Sequence, residues 1–182
     1  MINLTYFLDE NDYLEFQLYT ASKSKRVKKM MLFDKLVLPL IYTVIAIAGY
    51  VLNLNVIFYL SFVVLAILWF FLYPKYNKFR YKKHYLFSIR EHFSKALNEE
   101  ITLLLDDKFL KTSTKSANSS INTSEIECIN EIKNHIFIKL NSGVSIILPK
   151  DKIEDISAVI NELEKLSQSL NITYNKELDW NW

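Results

Sequence analysis

The sequence predicts an α+β membrane protein: a two-helix transmembrane hairpin with cytoplasmic helical extensions, joined to a small antiparallel β domain that a C-terminal helix closes. Three observations predict it. Residues 36–74 form a run of 39 with no Asp, Glu, Lys, Arg or His, whereas the rest of the 182-residue chain is polar and rich in charge. Residues 99–148 change to short runs with the alternation of strands, and residues 151–170 return to helical spacing.

The apolar run is too long for one span. As a single helix it would be about 58 Å long, against a hydrocarbon core of about 30 Å. Residues 36–52 and 56–73 are each long enough to cross, and the amides of Asn53 and Asn55 interrupt the run between them. Asn tolerates turn geometry and its side chain replaces missing backbone partners, so "LNLN" reads as a tight turn at the far membrane face. The run starts too late and is too long for a cleavable signal.

The flanks set an orientation. Lys23, Lys25, Arg26, Lys28, Lys29 and Lys35 precede the run, Lys75, Lys78, Arg80, Lys82 and Lys83 follow it, and the turn carries no charge. The positive-inside rule then places both termini in the cytoplasm, and Trp69, Phe70, Phe71, Tyr73 and Tyr76 crowd the exit of the second span as interfacial aromatics do. The expected localisation is a membrane, crossed twice, with both termini on its cytoplasmic side. A sharper reading of the Lys23–Lys35 cluster is binding of anionic lipid, at about 1 kcal/mol per basic residue near the surface.

The domain organisation follows as 1–35, an N-terminal strand and cytoplasmic helix; 36–74, the hairpin; 75–98, a cytoplasmic exit helix; and 99–182, a soluble domain. Asp12 looks like a helix N-cap, with Glu15 completing a capping box. Residues 75–97 space Tyr76, Phe79, Leu86, Ile89, Phe93 and Leu97 at helical intervals, and the two extensions are expected to pack as an antiparallel stalk, with Pro39 and Pro74 marking the membrane boundary. Strands are expected at 100–105, 108–114, 126–131, 135–140 and 144–148, with a turn at Asp106-Asp107 and a hairpin at Asn141-Ser142-Gly143. A weak strand at 117–122 and an N-terminal strand at 2–8 bring the count to about seven. Residues 151–170 carry Ile153, Ile156, Ile160, Leu163, Leu166 and Leu170 on one helical face, which closes the domain.

Two stretches, Ile126-Glu127-Cys128-Ile129-Asn130-Glu131 and Ser145-Ile146-Ile147-Leu148-Pro149-Lys150, set in this order of elements, resemble the YcxB-like family of bacterial membrane proteins. The first matches its "I-x-x-I-x-E" strand and the second its apolar run ending in "PK". The resemblance implies a bacterial origin, and so the bacterial cytoplasmic (inner) membrane as the expected localisation, two spans and a small soluble domain of pleckstrin-homology-like shape, without a known activity.

Several function classes are disfavoured. Residues 1–84 carry 11 basic and 5 acidic side chains and residues 85–182 carry 11 and 15, so the soluble part is mildly acidic and nucleic acid is not an expected partner. His84, His92, His135 and the lone Cys128 have no metal-ligand spacing, and two glycines cannot build a phosphate loop; no cofactor, metal or catalytic residue is expected. Cys128 reads as buried filler and Glu125, Glu127 and Glu131 as one polar edge. Acid at Asp106-Asp107 argues against phosphoinositide recognition there. Neither span contains Asp, Glu, Lys, Arg or His, and Thr43 and Ser61 alone cannot form an ion relay, while Ala46 and Gly49 hint at close helix approach and self-association. The expected function is a membrane-anchored, non-enzymatic adaptor or regulator, in contact with the lipid bilayer and with a protein partner or its own copies. The alternative is an immunity protein that protects the inner membrane against an antibacterial toxin. The candidate binding surface is an unpaired edge near residues 111–120, and Trp180 and Trp182 are expected to pack back onto the domain or touch the membrane interface.

Overall fold

The computed structural model describes residues 2–94, 96–106 and 108–182. The chain is α+β, with two long apolar helices followed by a largely antiparallel β region and a C-terminal helix. It forms two compact units, one of Met1–Phe16 with Leu86–Asn181 and the other of Gln17–Tyr85 with Trp182.

The first unit begins with β1 (Ile2–Phe7), which pairs antiparallel with β2 (Glu100–Leu105) from Ile2 opposite Leu105 to Phe7 opposite Glu100. β3 (Phe109–Ser113) and β4 (Asn118–Asn122) complete a four-stranded sheet in the order β1-β2-β3-β4. A second sheet has the order β7-β6-β5-β8, from β5 (Ile126–Ile132), β6 (His135–Leu140), β7 (Ser145–Pro149) and β8 (Thr173–Glu177). Alternate residues point inward, so Leu103, Leu110, Ile129, Ile136, Ile138 and Leu148 are fully buried.

Turn chemistry explains the connections. Asp106 Oδ1 accepts from the backbone N–H groups of Lys108 at 2.8 Å and Phe109 at 2.7 Å, which closes the β2–β3 turn; Asp107 lies outside the described residues. Gly143, at φ +85°, takes the left-handed position of the β6–β7 hairpin as expected.

Three elements differ from expectation. The helix α1 (Glu10–Lys23) starts three residues early, because the box is built on Asp9: its Oδ1 accepts from the N–H groups of Asn11 and Asp12, and Asp12 Oδ2 accepts from Asp9 N–H at 2.8 Å. The C-terminal helix α4 (Ile156–Leu170) starts five residues late, capped by Asp155 Oδ1 on Ala158 N–H, with residues 150–152 in a 3-10 turn. Its buried face is Val159, Leu163, Leu166 and Ser167. Finally, α4 does not end the domain. Asn171, at φ 55°, stops it in the left-handed conformation, and the chain returns as β8, an eighth strand, parallel to β5.

The second unit is a helical hairpin. α2 (Lys25–Val51) starts at Ser24, whose Oγ caps Val27 N–H, and α3 (Val56–His92) follows a turn in which Asn53 adopts φ 51° and Asn55 Oδ1 accepts from Ile57 N–H at 2.9 Å. The two amides thus take the two turn roles their polarity predicts. Gly49 is required by a close approach: a Cβ there would sit 2.9 Å from the Phe58 ring. Along the hairpin, Tyr73 OH donates to Met31 O at 2.8 Å, Arg80 pairs with Asp34 at 2.6 Å, and the Lys35 ammonium lies 3.8 Å from the centre of the Phe70 ring. Pro39 and Pro74 both fall inside helices. Thr43 and Ser61 bond back to the carbonyls of Pro39 and Phe58. The outer surfaces are apolar and bare, with Leu40 67%, Ile57 72% and Phe71 72% exposed. α3 stops at His92, short of the expected 97, and Lys95 lies outside the described residues.

Candidate functional site

Two clusters of buried ionisable side chains lie in the first unit. In one, Asp12 is 3% and His135 2% exposed. His135 Nε2 donates to Asp12 Oδ1 at 2.8 Å, and the Lys152 ammonium donates to Asp12 Oδ2 at 2.5 Å and to Asp9 Oδ2 at 2.6 Å. The Nε2–H assignment follows from the acceptor it faces, since an ionised carboxylate has no proton to give. Burial alone would raise the Asp12 carboxyl, but hydrogen bonds from His135, Lys152 and the Asp9 N–H outweigh it and hold its pKa at about 2. Burial would lower the Lys152 ammonium, and its bonds to Asp12 and Asp9 raise it instead.

The second ring nitrogen of His135 is buried without a hydrogen bond among the described residues, 3.9 Å from Glu15 Oε2, and the ring stacks on Phe137. Among the described residues no hydroxyl or thiol is bonded to that second nitrogen. The cluster's geometry joins the start of α1 to the start of β6 and to the 3-10 turn before α4. It is a clamp, and an exposed ion pair adds to it where Arg90 meets Glu10 at 2.9 Å.

In the other cluster, Glu131 is 5% exposed and takes two donors: the Lys150 ammonium at 2.6 Å on Oε1 and the Tyr174 hydroxyl at 2.9 Å on Oε2. Burial first and the Glu131 carboxylate second push the Tyr174 hydroxyl upward. Glu131 is thus not on a polar edge with Glu125 and Glu127. A register shift between Ile126 and Cys128 changes the phase of β5, and Glu131 turns to the same buried face as Ile129. Glu127 stays outside, paired with Lys139 at 2.7 Å.

The other candidates are scattered. His84 and His92 are exposed, and Cys128 is half-buried rather than buried, accepting from Asn130 Nδ2 at 3.5 Å. No group of three or more His, Cys, Asp or Glu among the described residues is placed to hold a metal ion. Of the expected binding edge at 111–120, residues 111–113 lie in β3, an inner strand, and only β4 is an edge. Trp182 rests on Tyr81, ring centres 5.6 Å apart.

Sequence reasoning met Asp12 as a cap and His135 as the first residue of a strand, and did not single out Asp9 or Lys152. Partners more than 120 residues apart leave no local signal. Glu131 and Lys150 did have one, since each ends a stretch that resembles the YcxB-like family, and in the fold these two ends bond to each other.

No curated protein and no solved structure matches the chain. Residues 105–163 match the family model described as YcxB-like protein, a stretch that holds the Glu131–Lys150 bond together with His135 and Lys152, and over that stretch the chain is similar to that family.

Proposed function

We propose that the chain is a two-pass protein of the bacterial cytoplasmic membrane, and that its first unit is a pleckstrin-homology-like binding module acting as an adaptor or regulator rather than an enzyme. One observation carries the reading. The apolar hairpin is inserted between β1 and β2, which are adjacent antiparallel strands of one sheet. A sheet completed by both flanks of the hairpin requires those flanks on the same side of a membrane, as the basic residues at both flanks also do. The bare apolar sides of α2 and α3 need a solvent other than water. Four strands, then three, then a helix, with β8 added beyond it, is the order that supports the pleckstrin-like description, and the buried ionisable groups inside the unit are spent on holding it together, which suits binding better than turnover.

Topology is tested with a single cysteine at position 53, or added after Trp182, in a chain with Cys128 replaced by Ser. An impermeant thiol reagent applied to intact cells should label the first and spare the second. Equal protection of both would overturn the two-pass arrangement. The adaptor reading is tested by capture of the tagged full-length protein from its native membrane in mild detergent. A stoichiometric protein partner supports it, a toxin as that partner turns the reading to immunity, and recovery of the chain alone counts against both.

A further inference from the structure

Residues 17–85, which make up nearly all of the second unit, carry eleven Lys and Arg side chains and one carboxylate, Asp34. Arg80 already takes that carboxylate, at 2.6 Å. Lys28, Lys29, Lys75 and Lys78 are exposed and make no hydrogen bond or ion pair among the described residues.

Three contacts fix the register of α2 against α3: Gly49 at Phe58, Tyr42 at Phe62 and Lys35 at Phe70. The helices stay together as far as Pro74 and beyond it, through Tyr73 on Met31 and Arg80 on Asp34. Continued one residue down α2 for each residue up α3, the register sets position 28 beside position 77. Lys28 and Lys78 therefore stand at one level. They also stand on one side. Lys28 precedes Lys35 by seven residues, or two turns, and shares the side of α2 from which Lys35 reaches Phe70. Lys78 follows Phe70 by eight residues, which at about 100° per residue carries it about 80° further round the same flank of α3. The same step turns Lys29 and Lys75 to the backs of their helices. The seam between the helices thus has a lysine on each bank. Phe70, 47% exposed, continues the same side into the run that has no charge.

We infer that this seam holds one anionic lipid of the cytoplasmic leaflet, with its headgroup phosphate between Lys28 and Lys78 and a tail along Phe70. Two ammonium groups without a carboxylate, facing one seam, select an anion, and the apolar wall beyond them selects one that carries an acyl chain. Depth selects the lipid over an acidic protein segment. Lys78 lies four residues, about 6 Å, past the charge-free run, within the headgroup layer. The positive-inside rule counts basic residues at the flanks and is indifferent to the side of a helix they occupy, so it does not account for the pair across the seam. The inference rests on the two-pass reading.

The test titrates the full-length protein in uncharged detergent with phosphatidylglycerol or phosphatidylcholine carrying the same fluorescent tail, read by energy transfer from tryptophan. Transfer to phosphatidylglycerol should saturate at about one lipid per chain, and phosphatidylcholine should bind at least about tenfold more weakly. Lys28→Gln with Lys78→Gln should shrink that preference to about twofold or less. Lys29→Gln with Lys75→Gln removes the same charge from the backs of the helices and should leave the preference in place. Inorganic phosphate should not displace the lipid. All four lysines are exposed, and an unchanged melting temperature shows that the variants fold. Equal affinity for the two lipids, equal loss in the two double variants, no loss in the first, or displacement by phosphate would each overturn the inference. Failure of the two-pass reading looks different. Reconstituted into phosphatidylcholine vesicles and washed with alkaline carbonate, a chain that leaves the bilayer removes that reading and the lipid site with it. A chain that stays in the bilayer and shows no preference for phosphatidylglycerol loses only the site.

Discussion

Asp12 has both oxygens committed, one to His135 and one to Lys152, in a place where neither cation nor carboxylate meets water freely. Asp12→Ala therefore removes an anion and leaves a buried ammonium and imidazole behind. Breaking such a pair from one side costs about 3–5 kcal/mol, and Asp9, which still holds Lys152, argues for the lower end. Urea unfolding of the full chain in uncharged detergent, followed by β-sheet circular dichroism, measures it. Replacing both partners, Asp12→Leu with Lys152→Met, should return part of the loss, since no charge is then stranded. The same carboxylate sets an acid limit. Its pKa is lowered from 3.8 to about 2 on folding, so its stabilisation is full above pH 4 and is lost as pH falls through about 2. The amount is on the order of 2 kcal/mol. The melting temperature of wild type minus that of Asp12→Asn should stay constant from pH 7 to about 5 and shrink between about 4 and 2. A difference that does not change with acid would contradict the assignment.

At the scale of elements, the turn between α2 and α3 depends on backbone geometry. Asn53 sits at φ 51°, where a β-branched side chain is strained by about 1–2 kcal/mol and Gly is not. Asn53→Val should lower the resistance of the hairpin to unfolding in dodecyl sulfate mixed micelles, and Asn53→Gly should not. This turn was legible because two amides inside an apolar run have few explanations other than a bend. The β6–β7 hairpin was legible for a like reason: Gly143 is one of two glycines and stands between alternating runs. The phase of β5 was not, because the shift at Ile126–Cys128 moves Glu131 inward and no period of two predicts a bulge. β8 was missed although Thr173 and Tyr174 have strand propensity and follow an Asn that ends a helix. The cap at Asp9 has a weaker sequence signal than Asp12, since the residue three positions on is Asp12 in place of the usual Glu or Gln, and in the structure each bonds the other's backbone. The buried clusters were illegible as clusters, since their members come together only when distant segments pair.

On the scale of the whole chain, the first sheet is built from strands about 90 residues apart, with the hairpin as the connection between them. Closing a loop of that length from a flexible chain costs entropy that grows only as the logarithm of its length, and a helical hairpin that turns back on itself reduces it further. The arrangement has a cost of another kind: residues 99–182 do not contain everything their own sheet needs. Without residues 2–16, β2 loses its six paired positions on one side, the core loses Ile2, Tyr6, Leu8 and Leu14, and His135 and Lys152 lose both carboxylates of the clamp. A fragment of residues 99–182 should therefore be poorly packed, with narrow amide dispersion in NMR spectra and strong binding of a hydrophobic dye. Addition of a synthetic peptide of residues 2–23 should restore dispersion and release the dye, and the same peptide with Asp9→Asn and Asp12→Asn should do so at least about tenfold less tightly. A fragment that gives a well-dispersed spectrum alone would show that β1 and the clamp are accessories, and that the hairpin is attached to a finished domain instead of completing it.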